Sequence, residues 1–383
     1  MWSNSFGEAL RITTFGESHG SSMGVVIDGL PSGLEIDETD ILQELSLRRP
    51  GRKLTSPRRE PDVPKIESGV FDGRTTGSPL AITVKNSDVR SEPYESIRFL
   101  PRPGHADLPY IIKYGYENWD YRGGGRSSAR ETVNWVAAGA IAKKLLTLRG
   151  IFIAGCLISI GNSKFQDPRF NQCFASRRRP FRTPTDEDDK VVEEMILQAI
   201  KEKDSVGGSV RIMVVGSPPG LGDPVFSKIK GDLARASMST PGSVYFEMGD
   251  GINTSRSHGS EVMDSILKEG DRYSWERNLH GGILGGITTG DTVYFSVGFR
   301  PTSSIDRSHR TVDLRTGEEA SLRIIGRHDP AIAIRGVSVL EGLTSLVFAD
   351  HLVRTHELPA VISREDMGII RNNWSRYSIG GAD

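Results

Sequence analysis

The stretch from 121 to 132, YRGGGRSSARET, combines residue types that together could bind an anion. Ser127, Ser128 and the first N–H groups of a following helix would form an anion site at the positive end of the helix dipole. Arg126 and Arg130 add positive charge, and the three glycines allow the backbone to approach a ligand closely. Three explanations remain open for these residues alone: a disordered linker, an RGG-like nucleic-acid-binding stretch, or a loop that holds a phosphorylated ligand.

A second group of cations lies between residues 48 and 59, with no acidic residue among them. Its members are Arg48, Arg49, Arg52, Lys53, Arg58 and Arg59. Like charges at this density repel one another unless they are solvated or face an anion. A solvated surface loop explains them, but the planar guanidinium also binds phosphate and carboxylate with two parallel hydrogen bonds. The absence of interleaved aromatic residues and a net charge of −1 argue against nucleic acid.

Two histidines and one aspartate lie in loops where they could transfer protons. His19 lies in GESHG, His105 in RPGHAD, and Asp329 in GRHDP. A loop histidine is most often an ordinary surface residue, and Asp before Pro is also a common turn signal. Histidine is nevertheless the side chain best suited to donate a proton near neutral pH.

The composition is that of a soluble globular protein, with 37% hydrophobic and 25% charged residues in 383. Two cysteines, Cys156 and Cys173, are too few for a disulfide framework and lack metal-ligand spacing, which fits a reducing compartment. The N-terminus does not resemble a secretory signal, and the apolar run at 151–160 is too short to span a bilayer. We therefore expect a cytoplasmic protein that binds neither a membrane nor a metal. The sequence contains no Walker A, Rossmann, zinc-protease or serine-hydrolase motif.

Hydrophobic patterning predicts mixed strands and helices without a regular βαβ rhythm, which favours an α+β fold. We expect strands at 10–16, 23–30, 79–86, 151–160, 209–216 and 291–299, and helices at 38–50, 128–150, 188–202 and 337–358. Ser128 and Glu131 have the spacing of a capping box, and Gly150 would end that helix. The polar stretch 162–189 has the composition of an insertion or a surface loop. No composition break divides the chain, so we expect one catalytic domain over 1–360 and a C-terminal tail over 361–383.

Taken together, six short motifs resemble chorismate synthase, in the order and approximate spacing of that family. They are FGESHG, RPGHAD, YRGGGRSSARET, HGGILGG, RPTSS and GRHDP. The resemblance runs from about residue 5 to about residue 358. It implies elimination of phosphate from 5-enolpyruvylshikimate 3-phosphate to give chorismate, with reduced FMN although there is no net redox change. It also implies a homotetramer whose subunits place helices between antiparallel sheets.

The resemblance also implies roles for individual residues. Arg48, Arg130 and Arg335 would bind the substrate. His19 would protonate the departing phosphate, His105 would support the reduced flavin, and Asp329 would help to take the ring proton onward from flavin N5. The FMN contacts would come from Arg126, Ser127, Ser128, Pro241, Gly242, Gly285, Arg300, Pro301, Thr302, Ser303, Ser304 and Arg327.

The chain departs from the pattern of the family at four places. Leu54 replaces a common arginine, with Arg52 and Lys53 shifted forward. Arg300 replaces a common lysine and Gly242 a usual alanine. NLHGG replaces an NHAGG-like run, so His280 receives no role by analogy.

Two alternatives to the lyase remain open from sequence. One is a flavin reductase or flavin-dependent oxidoreductase that uses the same pocket, and the other is an RNA-binding protein that uses 48–59 and 121–130. Some relatives reduce their own flavin with NADPH, and the sequence leaves the source of electrons open.

Overall fold

The structure is a computed structural model. It describes residues 3–49, 53–55, 60–87, 92–95, 97–324 and 329–377. Arg52 and Arg327, both named above, lie outside the described residues, as do Arg58 and Arg59.

The described strands follow the alternation of apolar residues along the chain. They are β1 Ser5–Phe6, β2 Arg11–Phe15, β3 Ser22–Asp28, β4 Pro64–Ser68, β5 Val70–Phe71, β6 Arg74–Thr75, β7 Leu80–Lys85, β8 Phe152–Ile160, β9 Ser163–Lys164, β10 Gly208–Val215, β11 Ser243–Met248, β12 Ile266–Glu269, β13 Arg272–Trp275, β14 Ile283–Leu284, β15 Ile287–Thr288, β16 Val293–Phe299, β17 Ser308–Val312 and β18 Glu319–Arg323.

The described α-helices are α1 Glu38–Arg48, α2 Glu92–Glu95, α3 Asp107–Tyr114, α4 Thr132–Leu146, α5 Phe170–Ala175, α6 Asp186–Lys201, α7 Ile229–Met238, α8 Gly251–Arg256, α9 Gly259–Val262, α10 Ala333–Arg354 and α11 Arg364–Trp374. The expected strands and helices are confirmed, with ends that shift by a few residues.

Two five-stranded antiparallel sheets form the framework. The first has the strand order β1-β2-β3-β7-β4, and the second has the order β11-β16-β10-β8-β9. Alternate residues of β2 and β10 are buried, so each of these strands turns one face toward the interior. Both faces of β8 are buried, because α5 covers the side that points away from the main core. The fold is therefore α+β with antiparallel sheets, as predicted.

Helices occupy the space next to both sheets. α4 and α1 pack on the first sheet, α10 packs on β8 and β10 of the second, and α4 and α10 pack on each other. α10 is the one helix among the described residues that is long and apolar enough to cross a bilayer. However, 94% of its apolar window is buried inside the protein, as in a core helix. This packing fixes the two helices whose N-terminal ends bring Arg130 and Arg335 into the site described below.

A buried ionic cluster joins these helices. Glu44 of α1 and Glu341 of α10 both accept hydrogen bonds from Lys143 of α4 and from Arg177, and Arg182 also pairs with Glu341. Burial by itself would raise the pKa of Glu44, but the charges of Arg177 and Lys143 outweigh it and hold the pKa below its usual range. The cluster ties α1, α4 and α10 together by charge as well as by apolar packing.

Two expectations about local structure are wrong. The stretch 162–189 is not a simple surface loop, because it contains α5 and the buried Arg177 and Arg182 of the ionic cluster. Ser128 does not form a capping box with Glu131. Its hydroxyl accepts from the N–H of Arg130, and the Glu131 carboxylate accepts from Arg126, Asn134 and Trp135 instead.

The two cysteines form a disulfide, although their number had suggested a reducing compartment. Cys156 of β8 and Cys173 of α5 are joined across 17 residues, and both are fully buried. The bond attaches α5 to the outer face of the second sheet.

Candidate active site

His19 lies in the loop between β2 and β3, against the triple-glycine turn. Gly123 has a φ of +60°, and a Cβ atom there would lie 2.6 Å from the Nε2 atom of His19. Only glycine therefore permits both this backbone conformation and this approach. The ring of Tyr94 meets the His19 ring edge-on, with 5.2 Å between centroids. The first and third motifs of the resemblance thus meet at His19.

Arg48 and Arg130 converge on one buried carboxylate. Arg48 Nη1 donates to Asp62 Oδ2 at 3.0 Å, and Arg130 Nη1 donates to Asp62 Oδ1. The side chains are 2% exposed for Arg48, 8% for Arg130 and 0% for Asp62. Arg48 also donates to the hydroxyl of Thr132 and to the carbonyl of Ala129, which places it at the start of α4.

Arg335 and Asp329 join this pair from the N-terminal end of α10. Arg335 Nε donates to the carbonyl of Arg48 at 2.8 Å, and its Nη1 lies 3.5 Å from Asp329 Oδ2. Burial, with the nearby charges of Arg335 and Arg130, lowers the pKa of Arg48 to about 9, and Asp62 opposes this shift. Three guanidinium groups therefore lie close enough to affect one another, as in a site built for an anion.

His105 lies in a loop that packs on the RPTSS segment. Its Nε2 lies 2.7 Å from the Ser304 hydroxyl, and its Nδ1 lies 3.1 Å from the carbonyl of Pro103. Ser303 donates to the carbonyl of Gly104 at 2.9 Å. Thr302 donates to the backbone carbonyl of Asp329 at 2.7 Å, which connects this segment to the arginine cluster.

The electrostatic environment of His105 keeps its ring neutral. Burial and the positive charge of Arg102 lower the pKa of His105 to about 4. Arg102 itself is fixed by two hydrogen bonds to the Asp107 carboxylate, each of 2.7 Å. Its guanidinium also lies over the ring of Tyr94, at 5.6 Å from the centroid, so one aromatic ring contacts both histidine loops.

The expected flavin residues differ in how closely the structure joins them to this cluster. Arg300 donates to Ser303, and its N–H donates to the carbonyl of Gly242 at 2.9 Å, so these residues and the neighbouring Pro241 and Pro301 lie beside the His105 loop. Gly285 lies in the turn between β14 and β15. In the described part of the chain, we find no hydrogen bond that joins it to the cluster.

Arg126 is engaged within the protein. Its guanidinium donates to Asn4, Thr14, Gly16 and Glu131. Ser127 donates to the carbonyl of Gly124 at 2.7 Å. The side chain of Arg126 therefore attaches the glycine turn to β2.

Two departures from the family pattern have a structural explanation. Gly242 has a φ of +85°, and a Cβ atom there would lie 2.6 Å from Cδ1 of Ile332, so glycine fits this chain better than alanine. Lys53 pairs with Glu193 of α6 at 2.7 Å, and Leu54 packs on the hydrophobic core.

Sequence reasoning missed Asp62, Arg102 and Tyr94. The signal for Asp62 was its position directly after the cationic run, in RREPD. No local pattern marks Tyr94, because its role depends on two loops that meet only in the folded chain.

The side chains beside His105 suit a phosphate-bearing cofactor such as FMN. Arg300 supplies a guanidinium that donates to Ser303 and keeps further N–H groups, while the hydroxyls of Thr302 and Ser303 donate to backbone carbonyls and hold the segment in place. A guanidinium binds phosphate oxygens well. The donor set therefore fits the cofactor that the resemblance implies.

Comparison with known proteins agrees with this geometry. A family model described as chorismate synthase matches residues 10–353. The chain is 55% identical over 379 residues to a chorismate synthase of Sulfurisphaera tokodaii, covering 98% of this chain and 97% of the relative. It is 52% identical over 380 residues to the chorismate synthase of Sulfolobus acidocaldarius, again covering 98% and 97%. A crystal structure of chorismate synthase superposes with a TM-score of 0.74 at 28% identity, covering 97% of this chain and 98% of that one.

The chain therefore belongs to the chorismate synthase family, whose reaction eliminates phosphate from 5-enolpyruvylshikimate 3-phosphate to give chorismate in the shikimate pathway, with reduced FMN.

Proposed function

We propose that Arg48, Arg130 and Arg335 bind the substrate of this lyase through its phosphate and its two carboxylates. The observation that supports this most strongly is that three guanidinium groups from distant parts of the chain converge around Asp62 and Asp329. Charge-assisted hydrogen bonds to phosphate and carboxylate are stronger than neutral ones, and burial strengthens them further.

His19 acts as the general acid in this proposal and protonates the departing phosphate. Its place against Gly123 and Tyr94 supports this role, because both contacts restrict the orientation of the ring. Asp329 accepts a proton in this proposal, and Arg335 Nη1 lies 3.5 Å from its carboxylate. Reduced FMN, when bound, would supply an electron-rich group that the elimination needs but does not consume.

His105 holds a different role, because its neutral ring at pH 7 is a poor proton donor. In a neutral imidazole, Nδ1 donates to the carbonyl of Pro103 and Nε2 accepts from the Ser304 hydroxyl, so both contacts hold the ring in one orientation. We assign His105 to the support of the reduced flavin. The proposed flavin contacts are Arg126, Ser127, Ser128, Pro241, Gly242, Gly285, Arg300, Pro301, Thr302, Ser303, Ser304 and Arg327.

The proposal extends to the form of the whole protein. We propose a cytoplasmic homotetramer that binds neither nucleic acid nor a membrane. Each subunit has one catalytic domain over 1–360, followed by a tail over 361–383. Helices sandwiched between two sheets are supported by the packing of α4 and α10 on each other and on opposite sheets. Light scattering should give a mass close to four chains, and a monomer at assay concentration would contradict the assembly.

An anaerobic assay with 5-enolpyruvylshikimate 3-phosphate and prereduced FMN tests the role of the arginines. Arg335→Lys removes the donor to the Arg48 carbonyl and the planar group that faces Asp329. We expect KM for the substrate to rise by about 10–150-fold, since a hydrogen bond to a charged group contributes about 1.5–3 kcal/mol. Arg310→Lys, on the exposed strand β17, is the matched control and should keep its KM.

Three results would contradict this proposal or replace it. An unchanged KM in Arg335→Lys would remove this arginine from the substrate site. Oxidation of NADPH without formation of chorismate would favour a flavin reductase. Binding of RNA with neither activity would favour the RNA-binding alternative. In the active enzyme, oxidation of NADPH would identify the source of electrons for the flavin.

A further inference from the structure

Asp62 has no role in the proposed reaction scheme, but it lies between two of the arginines assigned to the substrate. Its side chain is fully buried, and its two carboxylate oxygens accept from two different arginines, Arg48 and Arg130. Its φ of +46° is in the left-handed region, which a non-glycine residue seldom adopts. The chain thus accepts an unfavourable backbone conformation at the residue that places a carboxylate between two cations.

The hydrogen bonds of the two arginines leave part of each guanidinium for a ligand. Arg48 donates to the hydroxyl of Thr132, to the carbonyl of Ala129 and to the carboxylate of Asp62. Since a guanidinium has five N–H groups, about two of them remain.

Arg130 shows the same pattern. It donates to the side-chain carbonyl of Asn86, to the backbone carbonyl of Lys85 and to the carboxylate of Asp62. Asp62 is the one partner that both arginines share in the described structure, so it fixes the orientation of one relative to the other.

We propose that Asp62 is a positioning residue for the substrate site, which holds Arg48 and Arg130 at the spacing and orientation that the substrate anion needs. This inference rests on the proposed binding role of these two arginines. Asp62 does not touch the substrate in this scheme but acts through the two guanidinium groups.

Removal of the Asp62 charge should change the binding affinities of inorganic phosphate and of the substrate in opposite directions. The site holds the cations Arg48, Arg130 and Arg335 and the carboxylates of Asp62 and Asp329, with Glu60 at 3.8 Å from Arg130. Without one carboxylate the site is more positive, so a small anion such as inorganic phosphate should bind more tightly. The substrate needs a particular arrangement of donors, and it should bind more weakly once the arginines lose their common partner.

The experiment compares Asp62→Asn with the wild type in the complete enzyme with prereduced FMN. Two constants are measured: KM for 5-enolpyruvylshikimate 3-phosphate and the inhibition constant of inorganic phosphate. We expect KM to rise by about 10–100-fold, with a smaller change in kcat, and the phosphate constant to fall by about 2–10-fold.

Asp350→Asn is the matched control. Asp350 is also buried and accepts three backbone N–H groups from the segment Glu8–Leu10, and it lies near the C-terminal end of α10, whereas Arg335 lies near the start of that helix. Its loss should reduce stability but leave both constants near their wild-type values.

Each other outcome for Asp62→Asn overturns the inference. Weaker binding of both anions would show a merely structural role, and tighter binding of both would show that Asp62 only neutralises charge. Two unchanged constants would show no role at all. If Asp62→Asn does not fold, Asp62→Glu replaces it. The longer side chain keeps the charge but displaces the arginines, so KM should rise while the phosphate constant stays the same, and an unchanged KM would overturn the inference.

The test also separates this inference from the proposed function. In the described structure no hydrogen bond or ion pair joins Arg335 to Asp62, so Arg335→Lys tests arginine binding without removing the shared partner of Arg48 and Arg130. A normal KM in that variant would refute the binding role. A raised KM there, with normal constants in Asp62→Asn, would refute only the positioning role.

Discussion

The neutral ring of His105 makes a quantitative prediction about stability in acid. In the folded protein, burial and Arg102 lower the pKa of this imidazole from 6.5 to about 4. The unfolded chain therefore binds a proton at a higher pH than the native protein does. Stability from this group is fully present above about pH 6.5 and is lost as the pH falls toward 4. A shift of this size corresponds to about 3 kcal/mol, at 1.36 kcal/mol for each pH unit.

The assay compares the wild type with His105→Gln, which keeps a polar side chain but cannot titrate. The free energy of unfolding is measured for both proteins at about pH 7 and about pH 4 by denaturant titration. The wild type should lose about 3 kcal/mol more than the variant over this interval. Other acidic and basic groups are common to both proteins and largely cancel in the difference.

A second substitution checks the cause of the shift. In Arg102→Gln the imidazole loses a nearby positive charge, so its pKa should rise toward 6.5, and the difference between pH 7 and pH 4 should become smaller. Equal acid losses in the wild type and His105→Gln would refute the assignment of a neutral His105. They would also remove the physical basis for giving the two histidines different roles.

Two further predictions concern His19 and the buried ionic cluster. His19→Ala should lower the single-turnover rate by about 10²–10⁴-fold, the usual effect of losing a general acid, with little change in the affinity for reduced FMN. Near-normal turnover would end that assignment, and weakened flavin binding would place His19 at the cofactor. Glu341→Gln should lower the free energy of unfolding by about 3–5 kcal/mol, because Lys143 and Arg177 would each lose one of two carboxylate partners and Arg182 would lose the carboxylate with which it pairs. Denaturant unfolding measures this loss, and an unchanged midpoint would show that the cluster does not stabilise the fold.

Elements with a clear local pattern could be predicted from the sequence. The alternation in β2 and β10 and the long apolar surface of α10 depend on residues that are neighbours in the chain. Their positions followed from periodicity alone, and the ends differed because helix and strand termini depend on the surrounding packing.

Features that depend on distant partners could not be predicted in this way. The polar composition of 162–189 predicted a surface loop. Arg177 and Arg182 are nevertheless buried, because their partners, the carboxylates of Glu44 and Glu341, come from other parts of the chain. Glu131 has the spacing of a capping residue relative to Ser128, but in the folded protein its carboxylate pairs with Arg126 instead.

In the candidate site, too, some residues could be predicted from a local motif and others depend on distant partners. His19 and His105 lie in motifs that could be recognised as short sequences, and the structure places both in loops beside glycine-containing segments. Asp62 directly follows the cationic run, but that position does not reveal its role, because a carboxylate that bridges two arginines is defined only by their arrangement in space.

The most direct test of the whole account is a crystal structure of the enzyme with 5-enolpyruvylshikimate 3-phosphate and FMN. We predict that Arg48, Arg130 and Arg335 donate to the substrate anions at about 2.7–3.0 Å, with His19 within hydrogen-bonding distance of the phosphate and Asp62 still between the first two arginines. A substrate held by other side chains, with these three guanidinium groups turned away from it, would contradict the account.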